Sequence, residues 1–185
     1  MREVELKSVV EDVAAARAAV EKAGAILTYE GALLDFRYGD REGRLLAGDL
    51  VVRLRVYESG GEREGFLDWK GPTMYEDGYK VREELSTSVG DPGTMERILE
   101  NLGLQVIRRI DRQIAQYRLA GAVIRFEHYP RMDDLVEVEG SPADIEQAIL
   151  ATGLPRDGFN TDRLPDFVTR FEARTGQTAA VAATD

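Results

Sequence analysis

The stretch REVELKSVV, residues 2–10, alternates charged and apolar side chains, a pattern that predicts a β-strand. Glu3, Glu5 and Lys7 fall on one face of this strand, and Val4 and Leu6 fall on the other. An amphipathic strand ordinarily turns its apolar face to the core and its charged face to water. Two neighbouring carboxylates are also a donor set for a metal ion. The stretch alone leaves both interpretations open.

The composition narrows the class of protein. The chain has 185 residues, of which 43% are hydrophobic and 31% charged, and this predicts a globular protein of one domain. Because cysteine is absent, disulfides and thiolate chemistry are excluded. The net charge of −10 argues against a role in binding long nucleic acid. No apolar run approaches the roughly 20 residues of a membrane span, so we expect a cytoplasmic protein without membrane contact.

Hydrophobic periodicity predicts more strands than helices, and therefore an α+β fold with a mainly antiparallel sheet or barrel. The predicted helices span residues 11–24, 91–104, 141–154 and 162–176. The predicted strands span residues 2–10, 26–38, 49–57, 65–70, 78–87, 106–120, 122–129 and 134–140. We expect a single domain over residues 1–176 and a disordered tail over residues 177–185.

Charged side chains recur on one face of the predicted strands. The sets that share a face are Arg53 with Arg55, Asp68 with Lys70, Lys80 with Arg82 and Glu84, Arg125 with Glu127, and Glu137 with Glu139. Alternate residues of a strand lie only about 7 Å apart, so like charges in such a pair repel unless a counter-ion lies between them. Solvated strand faces remain the alternative for each segment taken alone.

Two kinds of ligand fit these faces. Carboxylates suit hard divalent cations such as Mg²⁺ and Mn²⁺, whereas arginine and lysine clusters suit phosphate oxygens. If the sheet closes into a barrel, the charged faces line its lumen and the apolar faces point outward under the helices. Such a barrel would hold a polyphosphate on its basic groups and a metal ion on its acidic groups.

The ordered motifs EVELK, VVRLRV, DWKGP, KVREE and VEVEG resemble those of the CYTH superfamily, the class IV adenylate cyclases and thiamine triphosphatases. These proteins are also called triphosphate tunnel metalloenzymes, and E-x-E-x-K is their signature. The motifs lie across residues 3–139, about three quarters of the chain. The resemblance implies a closed antiparallel β-barrel with flanking helices that binds a triphosphate together with Mg²⁺ or Mn²⁺.

The resemblance also implies roles for individual residues. The implied metal ligands are Glu3, Glu5, Glu137 and Glu139, with Glu127 as a further candidate. The implied triphosphate ligands are Lys7, Arg53, Arg55, Lys70, Arg82, Arg112 and Arg125. Lys7 would contact phosphate or orient the attacking group, and Glu84 would orient the basic groups around it, so these two are the candidate catalytic residues.

The chain departs from the family pattern in two segments. Where the family has K-x-R, Arg112 fits the lysine position and the arginine position falls on Ile114, unless a shifted strand lets Arg109 or Arg118 serve. In the segment GALLDFRY, Asp35 is kept, but Leu33 and Arg37 stand where cyclase-type members often have glutamine and tyrosine. The second departure weakens a cyclase assignment, whereas the WKGP and REEL segments resemble the cyclase branch.

Three functions follow as hypotheses. The first is a metal-dependent triphosphatase that acts on tripolyphosphate, thiamine triphosphate or ATP as a monomer or homodimer. The second is an adenylate cyclase that makes cyclic AMP and pyrophosphate from ATP. The third is a non-catalytic binder of polyphosphate or nucleotide, which the many carboxylates disfavour. We favour hydrolysis, because it needs no nucleoside pocket.

Overall fold

Within residues 2–183, the part of the chain that the computed structural model describes, nine strands form one antiparallel sheet. The strands are β1 (Arg2–Val9), β2 (Ile26–Asp40), β3 (Val51–Ser59), β4 (Glu62–Lys70), β5 (Met74–Glu76), β6 (Tyr79–Val89), β7 (Leu104–Leu119), β8 (Ala122–His128) and β9 (Leu135–Glu139). Neighbours follow the order β1-β9-β8-β7-β2-β3-β4-β6, and pairing of β6 with β1 closes the sheet into a barrel. The short strand β5 adds to the edge of β6. The predicted closed antiparallel barrel is therefore confirmed.

The helices of this part of the chain lie outside the barrel wall or at its ends. They are α1 (Val13–Lys22), α2 (Arg44–Ala47), α3 (Pro92–Asn101), α4 (Pro142–Thr152) and α5 (Leu164–Thr175). The side chains of Asp12, Asp91 and Ser141 accept a backbone N–H from the first turn of α1, α3 and α4, which satisfies donors that a helix start leaves open. Helix α2 lies between two predicted strands, in a segment for which no helix was predicted. No helix within residues 2–183 is both long and apolar enough to cross a membrane.

The apolar strand faces point away from the barrel axis. Leu6, Ile124 and Val138 are almost fully buried under α1 and α4, where they form one core with Ile149 of α4. On the other side of the barrel, Leu54 packs in a second core under α3. The hydrophobic effect therefore fixes the helices onto the outside of the barrel and leaves the alternate, charged faces of the strands to the lumen.

Helix α5 packs over one end of the barrel together with the residues that follow it. Phe167 of α5 shares a buried cluster with Ile110 of β7. The prediction of a disordered tail is wrong for residues 177–183. Ala180 forms a two-way backbone bridge with Arg131, and the carbonyl of Val181 accepts the N–H of Asp111. The small apolar residues of this segment fit against the α5 cluster, which offsets the entropy lost on ordering them; residues 184 and 185 lie outside the described part.

The outward-facing core predicts contrasting effects for two adjacent residues of α4. Ile149 is 1% exposed and Leu150 is 79% exposed. We expect Ile149→Ala to lower the free energy of unfolding by about 2–5 kcal/mol, because it removes buried methyl groups and leaves a cavity. Leu150→Ala is the matched control and should change it by less than about 0.5 kcal/mol. Urea unfolding measures both, and equal small losses would contradict the packing of α4 on the barrel.

Candidate functional site

The barrel encloses a cavity of about 730 Å³ lined largely by charged side chains. Predicted site residues that line it are Glu5, Lys7, Arg53, Arg55, Lys70, Arg82, Glu84, Arg112, Arg125, Glu137 and Glu139. Strand pairing brings them together, because residues directly opposite in an antiparallel sheet project to the same face. Lys7 lies opposite Glu137, for example, and Arg53 lies opposite Asp68. The side chain of Glu3 lies outside the described residues.

Lys7 is the centre of a buried cluster on β1, β6, β8 and β9. Its ammonium group donates to Glu137 and lies 3.1 Å from a carboxylate oxygen of Glu5. Lys80 donates to the other oxygen of Glu5, and Arg125 donates to Glu137 over 2.8 Å. Two carboxylates and three cations thus satisfy one another in the lumen, where unpaired charges would be costly.

This cluster keeps its carboxylates ionised. Burial alone would raise the pKa of Glu5, and so would the nearby Glu137, but Lys7 and Lys80 outweigh both and lower it to about 2. Burial also opposes ionisation of Glu137, yet Lys7 and Arg125 hold its pKa well below the usual range. The pKa of Lys7 is raised by the same carboxylates against the effect of burial. Lys7 is therefore protonated at neutral pH and suited to contact phosphate as a cation.

Glu127 has a different environment from the Glu5–Glu137 pair. It is 1% exposed, and its two carboxylate oxygens accept from Arg112 over 2.8 Å and from the hydroxyl of Tyr129 over 2.6 Å. Burial works against the charge of Arg112, but Glu127 and its neighbours raise the pKa of Arg112. In this arrangement Glu127 positions Arg112 toward the lumen, and its role as a metal ligand stays a prediction.

Two fully buried aspartates hold the arginines of β3. Asp68 accepts from Arg53 over 2.8 Å and from Arg55 over 3.0 Å. Asp35 lies 3.4 Å from Arg53 and 3.4 Å from Arg112, so it links β2 to β3 and β7. Burial opposes the ionisation of both aspartates, but the surrounding arginines lower the pKa of each.

Glu84 lies among the basic groups of β3 and β4. Its carboxylate is 3.4 Å from both Arg53 and Lys70 and 4.0 Å from Arg55. Because Glu84 is opposite Lys70 in the register of β4 and β6, the barrel wall fixes this contact. The arrangement orients three cations toward the same part of the lumen.

Arg82 faces the cavity but also anchors a loop. Its guanidinium donates to the backbone carbonyl of Gly71 over 2.7 Å and to that of Asp49 over 2.5 Å. The carboxylate of Asp49 pairs in turn with Arg163 at the start of α5, over 3.2 Å. Arg163 and Leu164 also line the cavity, so the first turn of α5 lies at one mouth of the tunnel.

The structure shows which side chain occupies the arginine position of the K-x-R motif. Ile114 is 3% exposed and is opposite Glu127, so an apolar side chain occupies this place in the wall. Arg109 is turned outward, where it stacks over the ring of Phe36 and pairs with Asp111. Arg118 is exposed near the end of β7. Neither arginine therefore lies beside Arg112 in the cavity.

Several lumen residues were missed by sequence reasoning. Lys80, Arg37, Arg108 and Tyr129 line the cavity but were not chosen as site residues. Lys80 could have been found, because it shares the face of Arg82 in the KVREE motif. Arg37 shares the face of Asp35, but it stands in a mostly apolar segment that suggested a core strand. Arg108 could also have been found, because it lies four residues before Arg112 and therefore shares its face under period-2 alternation.

The donor chemistry fits a hard divalent cation at the Glu5–Glu137 pair. Both carboxylates are ionised and share one ammonium group, and Glu139 lies opposite Glu5 in the register of β1 and β9. Oxygen donors of this kind are those that Mg²⁺ and Mn²⁺ prefer. Among the described residues no three such side chains converge on one point, and the ammonium groups of Lys7 and Lys80 contact these carboxylates instead.

Several solved structures share this fold. PH1819 from Pyrococcus horikoshii OT3 has a TM-score of 0.73 at 20% sequence identity, over 91% of this chain and 98% of its own. A Vibrio parahaemolyticus protein provisionally named an adenylate cyclase has a TM-score of 0.76 at 17% identity, over 90% and 97%. HpAC1 from Hippeastrum, a provisional adenylyl cyclase with a dominant triphosphatase activity, has a TM-score of 0.62 at 14% identity, over 95% and 96%.

No protein-family model matches the chain, and no curated protein matches its sequence significantly. These three structures are at most 20% identical to this chain in sequence. Their likeness to it shows the fold that they share with the chain. It therefore agrees with the barrel that the E-x-E-x-K and later motifs predicted.

The burial of Asp35 among arginines predicts a pH-dependent contribution to stability. We expect Asp35→Asn to lower the free energy of unfolding at pH 7 by about 3–5 kcal/mol, because it leaves buried cations without their shared partner. The folded-state pKa of Asp35 is lowered from 3.8. The difference in free energy of unfolding between wild type and Asp35→Asn should therefore be complete above pH 3.8. It should shrink as the pH falls through the folded-state pKa of Asp35.

Urea unfolding at several pH values measures this effect. Asp77→Asn is the matched control, since Asp77 is exposed on the turn between β5 and β6. Two results would show that Asp35 does not hold the arginines together. One is an equal loss of stability in Asp35→Asn and in the control. The other is a difference in stability between wild type and Asp35→Asn that grows as the pH falls.

Proposed function

We propose that this chain is a divalent-metal-dependent triphosphate-processing enzyme of the CYTH type, and that it hydrolyses an inorganic or organic triphosphate. The observation that supports this proposal most is the cavity inside the closed barrel. Basic residues from several strands converge there, and buried carboxylates hold Arg53, Arg112 and Arg125 in place. Preorganised cations in a shielded lumen bind the charge of a polyphosphate far more strongly than mobile surface cations do.

The basic groups have distinct tasks in this proposal. Arg55, Arg112 and Arg125 offer guanidinium groups, which match phosphate oxygens in pairs. Lys7 offers a protonated ammonium group beside the ionised Glu5 and Glu137. Because the carboxylates position the cations before substrate arrives, little reorganisation is needed when the triphosphate binds.

Glu5, Glu137 and Glu139 would hold the divalent ion, with Glu3 as the fourth predicted ligand. When bound, the ion would neutralise charge on the reacting phosphoryl group and increase the acidity of a coordinated water. Lys7, which contacts both carboxylates, would then donate to a phosphate oxygen. Glu84 would keep Arg53 and Lys70 aligned on the phosphates during turnover.

An adenylate cyclase is the second candidate, and an aromatic group in the cavity favours it. The rings of Tyr29 and Tyr57 meet edge to face at 5.1 Å, and those of Tyr57 and Phe66 meet at 5.7 Å. These side chains line the cavity and offer an apolar surface to a base. In that reaction the ribose 3′-hydroxyl attacks the α-phosphorus and pyrophosphate leaves. Hydrolysis remains the preferred proposal because Leu33 and Arg37 replace residues common in cyclase-type members.

Product analysis distinguishes these candidates. The purified protein is incubated with tripolyphosphate, thiamine triphosphate or ATP, each with Mg²⁺ or Mn²⁺, and the products are resolved by ³¹P NMR and chromatography. Release of orthophosphate supports the triphosphatase, and the fastest substrate gives its class. Formation of cyclic AMP and pyrophosphate from ATP would show that the protein is a cyclase and not a hydrolase. If the folded protein turns over none of the substrates, a binding function is left.

The carboxylate pair predicts the effect of one conservative substitution. We expect Glu137→Gln to reduce metal-dependent turnover at least about 100-fold, because it removes a charge that holds the ion and orients Lys7 and Arg125. Steady-state kinetics measures this loss, and circular dichroism confirms that the barrel is intact. Glu100→Gln, on the exposed face of α3, is the matched control and should leave turnover unchanged. Undiminished activity in Glu137→Gln would refute the metal-site assignment.

A further inference from the structure

Three arginines lie side by side across three strands of the barrel wall. Arg37 of β2 is directly opposite Arg108 of β7 on one side and Arg53 of β3 on the other. Side chains in such positions project to the same face, and all three line the cavity. Like charges directly opposite one another destabilise a sheet. The row is therefore costly to the empty protein unless an anion offsets it.

Arg108 shares the inward face of Arg112, because residues 108–112 of β7 pair with residues 33–37 of β2 without a shift, and a β-bulge lies next to it at Ile107. The pairing of β2 with β7 shifts between Arg37 and Tyr38, because Tyr38 is opposite Val106 and Ile107 has no partner. Gly39 accommodates the extra residue, since a Cβ atom there would lie 2.8 Å from Ile107. Bulges of this kind re-aim side chains next to active sites. Here the bulge adds Ile107 to the cavity lining beside Arg108.

The row has too few carboxylates for its charge. Asp35 is shared, because Arg53 and Arg112 lie 3.4 Å from it and Arg37 lies 3.7 Å from it. No described residue accepts a hydrogen bond from the buried Nε of Arg37. Arg108 makes no ion pair with any residue in the described part of the chain. By contrast, Arg53 is also held by Asp68 and Glu84.

The electrostatics of Arg37 agree with this geometry. Burial lowers the pKa of Arg37, and the neighbouring arginines add to this effect against the attraction of Asp35. A guanidinium group remains charged under such conditions because its ordinary pKa is so high. The charge of Arg37 therefore persists in the lumen with incomplete compensation.

We propose that Arg37 and Arg108 form an additional anion subsite that binds one phosphoryl group beyond those held by the rest of the tunnel. The inference rests on the proposed function, since it extends the same polyphosphate site. Two guanidinium forks side by side on the cavity wall match the oxygens of a phosphoryl group. The group is either the fourth phosphoryl of a linear polyphosphate or a separate inorganic phosphate beside a bound triphosphate.

Binding of linear tripolyphosphate and tetrapolyphosphate tests the subsite. Calorimetric titration in the presence of a chelator excludes divalent ions and hence turnover. We expect the wild type to bind tetrapolyphosphate more tightly than tripolyphosphate. In the double variant Arg37→Gln/Arg108→Gln, affinity for tetrapolyphosphate should fall about 10- to 100-fold, the usual effect of losing charged hydrogen bonds. Affinity for tripolyphosphate should change by less than about threefold.

Arg109→Gln is the matched control, because it removes the same charge from the outward face of the same strand. It should leave both affinities unchanged. The single variants Arg37→Gln and Arg108→Gln take the place of the double variant if circular dichroism shows that the latter is unfolded. Equal loss of affinity for both ligands, or no loss for either, would overturn the subsite.

A further titration identifies the source of the phosphoryl group. Inorganic phosphate is added to protein saturated with tripolyphosphate. Binding to wild type that is absent in the double variant supports a separate phosphate, whereas a tetrapolyphosphate preference without phosphate binding supports a longer chain. These measurements need no turnover. If the wild type binds tetrapolyphosphate more tightly than tripolyphosphate but hydrolyses no triphosphate, the proposed function is refuted and the subsite stands.

Discussion

The contacts of Lys7 with Glu5 and Glu137, together with that of Lys80 with Glu5, join the three strands on which closure of the barrel depends. Lys7 and Glu5 lie on β1, which pairs with β9 on one side and with β6 on the other. A single buried charge without a partner would cost several kcal/mol. The cluster therefore makes the charged faces compatible with a closed lumen, and every other feature of the site follows from that closure.

Closure reverses the usual arrangement of an amphipathic sheet. The apolar strand faces pack outward under α1, α3 and α4, so the hydrophobic core surrounds the barrel. The lumen then needs no apolar filling and can hold charged groups in fixed positions. Because the carboxylates there are tied to cations, the tunnel combines high charge density with low mobility. This combination suits a small, highly charged ligand better than a long nucleic acid, which agrees with the net charge of −10.

Much of the fold could be predicted, because period-2 alternation in separate segments marks which face of each strand is charged. The E-x-E-x-K stretch and later motifs then located most of the lumen. Side-chain partners could not be predicted, since Glu127 faces Arg112 only after β7 and β8 take their register. Ile107 reaches the cavity through a one-residue bulge, which shifts the face that a side chain takes without leaving a sequence signal. The order of residues 177–183 likewise depends on tertiary contacts.

The most direct test of the account is a crystal structure with Mn²⁺ and a slowly hydrolysed imido analogue of tripolyphosphate. Anomalous scattering locates the manganese independently of the phosphates. The account predicts a manganese peak at the carboxylates of Glu5 and Glu137, with the phosphoryl groups inside the barrel against Arg55, Arg112 and Arg125. Phosphate bound on the outer surface, or a lumen without manganese and phosphate at saturating concentrations of both, would contradict this prediction.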